Sequence, residues 1–145
     1  MGDLGFRILG RVHRGVYRLT GGKVGGKIGG ARVLLLTTTG RKSGRPRTQP
    51  LLYTPAGAGY AVIASKGGAP QHPLWYLNLR ANPNVDVTVG RNTWHLRARD
   101  AEGEERERLW RAMTRVYAGY DRYAEKTSRH IPVVVLEPDA PALAD

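Results

Sequence analysis

The residues best suited to chemistry lie first in a short basic turn, the segment TTTGRKSGRPRTQPLL at positions 37–52. Two glycines, Gly40 and Gly44, bracket one hydroxyl-bearing residue and two of the turn's four cations. Ammonium, guanidinium, hydroxyl and backbone amide donors in one turn can bind a single anion, most often a phosphate. An ordinary solvated hairpin could carry the same charges, so the residues alone leave both interpretations open. The spacing is not that of a Walker phosphate loop, and no helical pattern follows it. The donor side chains of the turn are Arg41, Lys42, Ser43, Arg45 and Arg47.

Three tyrosines form the second group that could act chemically. Tyr117, Tyr120 and Tyr123 are spaced by three, so they drift around a helix and cannot all face the core unless the helix breaks. Gly119 favours such a break. A phenol, whose ordinary pKa is about 10, is a neutral donor that can polarise a carbonyl or nitro oxygen. Tyrosines that only cap a hydrophobic core are the alternative.

Patterns for metal and thiol chemistry are missing from the sequence. The chain contains no cysteine, which rules out disulfides and cysteine-ligated metals. Its four histidines are scattered, without a pair at ligand spacing, so we predict no metal site. His72 follows the Gly67–Gly68 turn and could reach a bound ligand, but the favoured interpretation is a solvated loop histidine. The charge run at residues 102–108 is interpreted as a solvated helical face.

The elements that must position these residues are mainly strands. Apolar and β-branched runs bounded by Gly, Pro and Asn predict six of them, at residues 32–38, 48–54, 60–65, 85–89, 93–99 and 131–136. A short helix is predicted from Pro73 to residue 79, and a longer one from the acidic run at 102 through Tyr123. Hairpin connections dominate, which predicts a mainly β fold with flanking helices, a small barrel of about six antiparallel strands.

Positive charge is concentrated in the first third of the chain. The formal net charge is +11, and residues 1–47 contain eleven lysines and arginines against one acid, Asp3. Apolar residues recur at helical spacing within residues 1–20, which predicts a basic amphipathic helix. Such a helix either packs on its own domain or lies on an anionic membrane. We predict this helix and a Gly-rich connector at 1–30, the folded domain at 31–138 and a loose tail at 139–145.

Several segments, taken in order, resemble the deazaflavin-dependent nitroreductase family, whose members use the reduced deazaflavin coenzyme F420. The segments are residues 37–52, 64–70, 73–78, 82–83 and 131–136, and the similarity extends from about residue 32 to residue 138. The resemblance implies a split β-barrel of the flavin-reductase and pyridoxamine-phosphate-oxidase type. It also implies a cytoplasmic enzyme that transfers a hydride from the reduced coenzyme to a small electrophilic acceptor.

Carried over by position, the resemblance gives roles to residues of this chain. The coenzyme's phosphate and acidic tail would be held by Arg41, Lys42, Ser43 and Arg47. The deazaflavin would lie beside Thr48, Gln49, Pro50, Ile63, Ala64, Ser65 and Lys66, against a helical wall of Leu74, Trp75, Tyr76, Leu77 and Asn78. Catalysis would fall to Tyr120, nearest the coenzyme, with Tyr117, Tyr123 and Ser65. From the residues alone, Trp75 and Tyr76 would be interpreted as core aromatics.

The sequence leaves several alternatives open. A phosphate-binding turn suits FMN as well as coenzyme F420. The acceptor could be a quinone, a nitroaromatic or an activated enone, and the basic N-terminus would suit a membrane-soluble quinone. A nucleic-acid-binding module fits the high charge but is disfavoured, because the aromatic residues lie away from the basic run instead of interleaving with it. Monomer and homodimer both remain open.

Overall fold

The structure is a computed structural model that describes residues 27–28 and 31–139. The strands are β1 (Lys27–Ile28), β2 (Ala31–Thr39), β3 (Pro46–Leu52), β4 (Thr54–Ala56), β5 (Gly59–Ile63), β6 (Asn84–Val89), β7 (Asn92–Asp100) and β8 (Val133–Glu137). The helices are α1 (Leu74–Ala81), α2 (Gly103–Val116) and α3 (Gly119–Lys126), with a short 3-10 turn at Lys66–Gly68. The fold is mainly β with flanking helices, as predicted. The two strands that the sequence did not indicate, β1 and β4, are only two and three residues long.

The strands form one curled antiparallel sheet. Its order is β1-β2-β6-β7-β8-β5-β4, with β3 paired to β2. β3 also contacts β5, so the sheet curls back on itself. A sheet that closes in this way encloses a core and leaves little open edge. The predicted small antiparallel barrel is confirmed.

The last strand, β8, is apolar throughout because both of its faces are buried. Val134 and Leu136 face the core inside the barrel. Val133 and Val135 point the other way, into a second core beneath α2. Since successive residues of a strand face opposite sides of the sheet, a strand covered on both sides needs apolar residues at every position. The second core matters for function because it also holds Tyr120.

The helix predicted to run from residue 102 through Tyr123 is two helices. α2 begins beside acidic residues, which favour a helix N-terminus, and ends at Val116. Tyr117 is extended, with φ −152° and ψ 107°, and α3 begins at Gly119. The break that Gly119 favours is therefore present, and it allows tyrosines spaced by three to share one surface.

The predicted amphipathic helix, residues 1–20, lies outside the described residues, as does the tail beyond Asp139. Within the Gly-rich connector, β1 pairs with the first residues of β2. The division of the chain at residue 30 stays a prediction. Among the helices that the structure describes, none is long and apolar enough to cross a membrane.

Candidate functional site

The basic turn connects β2 to β3 and is closed by its own backbone. The Gly40 amide donates to the Arg45 carbonyl at 2.8 Å, and the Gly44 amide donates to the Gly40 carbonyl at 2.8 Å. Gly44 has φ +71°, a left-handed conformation that favours glycine. A side chain at Gly40 would begin 2.6 Å from Ser43 Oγ, which glycine avoids. The glycines therefore make the turn compact, and its cations are exposed.

One side of the turn faces a cleft of about 420 Å³, whose other walls are β3 and α1. Arg45 shares the turn but does not line this cleft, so the turn's four cations divide into three that face the cleft and one that does not. The backbone amide of Arg45 donates to Ser43 Oγ at 3.1 Å. The cleft is lined by Gly40, Arg41, Lys42, Ser43, Arg47, Thr48, Gln49, Leu74, Trp75 and Asn78.

Asn78 anchors the turn to α1. Its Oδ1 accepts a hydrogen bond from the Arg41 backbone amide at 3.0 Å, and its Nδ2 donates to Thr38 Oγ1 at 3.1 Å. The residue is only 7% exposed. Because removing one partner of a buried hydrogen bond leaves the other unsatisfied, this double contact strongly favours one position of the turn. Asn78 therefore positions the turn as well as lining the cleft.

The cleft continues into a second cavity of about 510 Å³. Gln49, Leu74 and Trp75 line both spaces, so we treat them as two sections of one groove. The groove runs from the basic turn, along β3 and α1, to the tyrosines. Its second section is lined by Gln49, Leu51, Leu52, Ile63, Ser65, Lys66, Gly67, Pro73, Leu74, Trp75, Tyr117, Tyr120 and Tyr123.

The three tyrosines form the far end of the groove. The hydroxyls of Tyr117 and Tyr123 are hydrogen-bonded at 2.8 Å. The ring of Tyr120 meets the other two rings edge-on, with centroid distances of 5.3 and 6.1 Å. Burial raises the pKa of Tyr120, and the neighbouring tyrosines add to this effect. Its phenol is therefore neutral at physiological pH. Its hydroxyl bonds to none of the described residues and is not sealed in the core, so it is available to a ligand.

The loop at residues 65–68 forms a strained part of the groove wall. Lys66, Gly67 and Gly68 have positive φ angles of 46°, 64° and 81°. Lys66 is the only non-glycine residue of the described chain in this conformation, which costs on the order of 1–3 kcal/mol. A side chain at Gly68 would begin 2.7 Å from the Tyr123 carbonyl oxygen, so the loop packs directly on α3. The loop and the tyrosines therefore form one surface.

Most of the predicted site residues line the groove, but four do not. The side chain of Tyr76 lies on the other side of α1, where its hydroxyl donates to Asp100 at 2.9 Å and accepts from Arg80 Nη1 at 2.9 Å. The helical wall of the groove is therefore Leu74, Trp75 and Asn78. The other three predicted residues that do not line the groove are Pro50, Ala64 and Leu77.

Two residues behind the groove, His72 and Arg129, make contacts that the sequence did not indicate. His72, interpreted as a solvated loop histidine, does lie in a loop but is half-buried and makes specific contacts. Its ring packs on Tyr76 with centroids 4.8 Å apart, and its Nδ1 lies 2.8 Å from Arg129 Nη1. The two residues are 57 positions apart, and no local pattern could indicate their contact. Arg129 had no motif of its own.

The donor set of the groove fits an elongated ligand with one anionic end. Three cations line the first section, whereas the second section combines three phenols and apolar side chains with one cation, Lys66. Within residues 27–28 and 31–139, no three His, Cys, Asp or Glu side chains are grouped so that they could hold a metal ion. The fold is a split barrel, and its groove is suited to an elongated anionic ligand. A structure assigned as a pyridoxamine 5′-phosphate oxidase from Listeria innocua shares the fold, with a TM-score of 0.53 at 16% identity over 74% of this chain and 84% of that chain.

Comparison with known proteins gives the family. The model of the F420H(2)-dependent quinone reductase family matches residues 9–138. An F420H(2)-dependent quinone reductase of Mycobacterium tuberculosis is 44% identical over 130 residues, 87% of each chain. A solved F420-H2 dependent reductase is 46% identical, with a TM-score of 0.67 over 72% of this chain and 93% of that chain. Another solved relative, described as a domain-swapped dimer, is 42% identical, with a TM-score of 0.69 over 89% of this chain and 98% of that chain.

The chain belongs to the F420H(2)-dependent quinone reductase family, an enzyme family that uses reduced coenzyme F420. The predicted dependence on a reduced deazaflavin is thereby confirmed. The family match names quinone reduction, and the nitroreductase part of the resemblance is not supported by it.

Proposed function

We propose that this protein binds reduced coenzyme F420 along the groove and reduces a quinone at the tyrosine end. The observation that carries the proposal is the continuity of the groove, since Gln49, Leu74 and Trp75 line both its cationic and its tyrosine section. The coenzyme has a phosphate and several glutamate carboxylates on one side and a deazaflavin ring on the other. Its charge distribution therefore matches that of the groove. When bound, the reduced coenzyme supplies a hydride.

The basic turn is suited to the anionic end of the coenzyme. Arg41, Lys42 and Arg47 all line this section. Arg47 Nη2 donates to Ser43 Oγ at 3.3 Å, which orients the guanidinium within the turn. Hydrogen bonds between these cations and phosphate or carboxylate oxygens are charge-assisted and stronger than neutral ones. The local positive potential also increases the rate at which an anionic ligand is captured.

The middle of the groove is suited to holding a flat ring. Trp75 is only 6% exposed, so its indole is fixed by packing. On β3, the hydroxyl of Thr48 is hydrogen-bonded at 2.7 Å to that of Thr37 on the neighbouring strand β2, which fixes the Thr48 side chain. Walls that are rigid before binding lose little entropy when a ligand arrives. This section can therefore orient a ring toward the tyrosines.

The tyrosine end is suited to an acceptor that gains negative charge. The neutral hydroxyl of Tyr120 can donate a hydrogen bond to a quinone oxygen as hydride reaches the acceptor. Its raised pKa keeps the phenol protonated, so the hydroxyl remains a donor. One hydride and one proton, which passes from solvent through Tyr120, complete the reduction. Ser65, which is 8% exposed at the groove wall, is a second donor.

Three finer points belong to the same proposal. A nitroaromatic presents similar oxygens to Tyr120, so nitroreduction is expected as a secondary activity of the site.

The basic residues 1–20 suit attachment to the anionic inner face of the cell membrane, where lipid-tailed quinones occur. Sedimentation with anionic vesicles at low salt, lost at high salt, is the test of that attachment. The relative solved as a domain-swapped dimer supports a homodimer, which sedimentation velocity measures.

Titration with coenzymes tests the proposal. The purified protein is titrated by fluorescence with coenzyme F420, with FMN and with a single-stranded DNA oligonucleotide. We expect saturable binding of coenzyme F420, tighter than that of FMN, and no saturable binding of the oligonucleotide at physiological salt. Tighter binding of FMN than of coenzyme F420 would show that the coenzyme of this protein is a flavin. Tighter binding of the oligonucleotide would overturn the enzyme assignment.

A further inference from the structure

Arg129 connects the groove-lining loop at residues 65–68 to the chain beyond α3. Its guanidinium donates to three backbone carbonyl oxygens, at 3.1 Å from Nη1 to Ala64, 2.8 Å from Nη2 to Ser65 and 3.0 Å from Nε to Ala69. The three carbonyls bracket the loop on both sides. No carboxylate of the described chain pairs with Arg129, so its charge is balanced mainly by these carbonyl dipoles.

The loop needs an external support because its own backbone provides little. The Gly68 amide donates to the Ser65 carbonyl at 2.9 Å, and the Ala69 amide donates to the Lys66 carbonyl at 3.1 Å. Three consecutive residues have a left-handed backbone conformation, and one of them, Lys66, is not a glycine. Strained backbone of this kind persists only where the surroundings hold it in place. Arg129 supplies that constraint, and the loop in turn presents Ser65, Lys66 and Gly67 to the groove.

His72 completes the arrangement as a hydrogen-bond acceptor. Its Nδ1 lies 2.8 Å from Arg129 Nη1. A guanidinium can only donate, so Nδ1 must accept, and the imidazole is neutral with its proton on Nε2. Protonation of His72 would remove the acceptor and place a second cation against Arg129. The support of the loop is therefore intact only while His72 is neutral.

We propose that Arg129 and neutral His72 are positioning residues that hold the loop at residues 65–68 in the shape that binds the coenzyme, so that protonation of His72 loosens the groove wall. The assignment of the loop to coenzyme binding rests on the proposed function. The support of the loop by Arg129 and His72 does not depend on it. Neither residue touches the groove itself.

The surroundings of His72 determine where it titrates. Burial lowers the pKa of His72 below its ordinary value, and the cations Arg129, Arg80 and His130 lower it further. Asp100 opposes them, and the ring of Tyr76 packs against the imidazole. The imidazole is thus neutral at pH 7 and gains its proton only at a lower pH than an ordinary histidine does. The groove wall should loosen over that lower pH range.

Amide hydrogen exchange tests the support without any ligand. Exchange of the Gly68 and Ala69 amides is measured by NMR in the full-length protein and in Arg129→Lys, with Arg91→Lys, an exposed arginine of the β6–β7 turn, as the matched control. We expect exchange of both amides to rise by about tenfold or more in Arg129→Lys, since one ammonium cannot bridge three carbonyls, and not in Arg91→Lys. In the wild type, exchange corrected for the intrinsic effect of pH should rise as pH falls from 7 to 5. Exchange that responds to neither change would overturn the proposal.

Coenzyme binding tests the consequence. The dissociation constant for coenzyme F420 is measured from pH 7 to pH 5 in the wild type and in His72→Gln, whose side-chain oxygen can accept from Arg129 and does not titrate. The coenzyme's own titration is common to both proteins and cancels in their ratio. We expect the wild type to lose affinity by about tenfold more than His72→Gln over this range. Identical pH profiles would overturn the link between loop and coenzyme. A wild type that never binds the coenzyme would instead refute the proposed function, and the exchange result would still decide the loop support.

Discussion

The backbone amide of Arg41 donates a 3.0 Å hydrogen bond to the side-chain oxygen of Asn78, and this contact joins two elements that are 37 positions apart in sequence. It fixes the basic turn against α1, the helix that also supplies Leu74 and Trp75 to the groove. The cationic section and the ring-binding section of the groove therefore keep a constant spacing. The contact therefore couples the basic turn to the helix within one groove.

Removing the Asn78 amide should loosen the turn. Asn78→Leu keeps the side-chain volume but leaves the Arg41 amide and the Thr38 hydroxyl without partners. We expect the free energy of unfolding in urea to fall by about 1–3 kcal/mol, and coenzyme affinity to fall as well. The control is Asn82→Ala at the end of α1, where Oδ1 accepts from the exposed Asn84 amide at 3.1 Å. Equal coenzyme affinities in the two variants would show that Asn78 does not organise the groove.

The basic turn offers a matched pair of charge deletions. Lys42 lines the groove and Arg45 does not. Replacing either residue with alanine removes one positive charge from the same turn. Lys42→Ala should weaken coenzyme binding by about 1.5–3 kcal/mol, the scale of a hydrogen bond to a charged group, and Arg45→Ala by clearly less. The effect of Lys42→Ala should shrink as salt is added, because exposed charges are screened. If both variants lose the same affinity, the turn attracts the ligand only at a distance.

The close approach of Gly119 to Tyr117 should be essential to the shape of the acceptor end. A Cβ at Gly119 would overlap the ring and hydroxyl of Tyr117. Gly119→Ala should therefore displace that ring. Because the clashing atoms are the outer end of an exposed side chain, the free energy of unfolding should fall by only about 1 kcal/mol, the low end of the cost of overpacking. In the Tyr117→Ala background the same change should be nearly neutral, because the clashing ring is gone. If Gly119→Ala lowers the free energy of unfolding equally in that background, the clash with the Tyr117 ring is not the cause of the destabilisation.

Tyr120 should be needed for turnover and not for coenzyme binding. Tyr120→Phe keeps the ring and its packing but removes the neutral donor. We expect quinone turnover to fall by about 10²-fold, the lower end of the range for lost acid catalysis, with little change in coenzyme affinity. Tyr53→Phe is the control, since Tyr53 is equally buried but belongs to the core inside the barrel. Full activity in Tyr120→Phe would mean that solvent alone supplies the proton.

Local patterns in the sequence predicted the barrel, the basic turn and the group of three tyrosines, and the family resemblance supplied most of the other groove residues. The apolar run of β8 and the basic turn could be predicted because their signals lie in adjacent residues. The residues alone indicated Tyr76 as a core aromatic, and it is buried in the core. The contact of its hydroxyl with Asp100 could not be predicted, because Asp100 lies 24 positions later in the chain. The role of Arg129 was hidden for the same reason: its four partners lie 57 to 65 positions earlier in the chain.

The most direct test of the central claim is a single-turnover measurement on the wild type. The protein is loaded with reduced coenzyme F420 without oxygen and mixed with menadione in a stopped-flow instrument, and re-oxidation of the deazaflavin is followed by its absorbance. The proposed function predicts oxidation that is fast relative to the protein-free reaction and that saturates with menadione concentration. A parallel experiment with reduced FMN should give no comparable saturable phase. Oxidation no faster than the protein-free reaction, or rapid turnover with reduced FMN only, would contradict it.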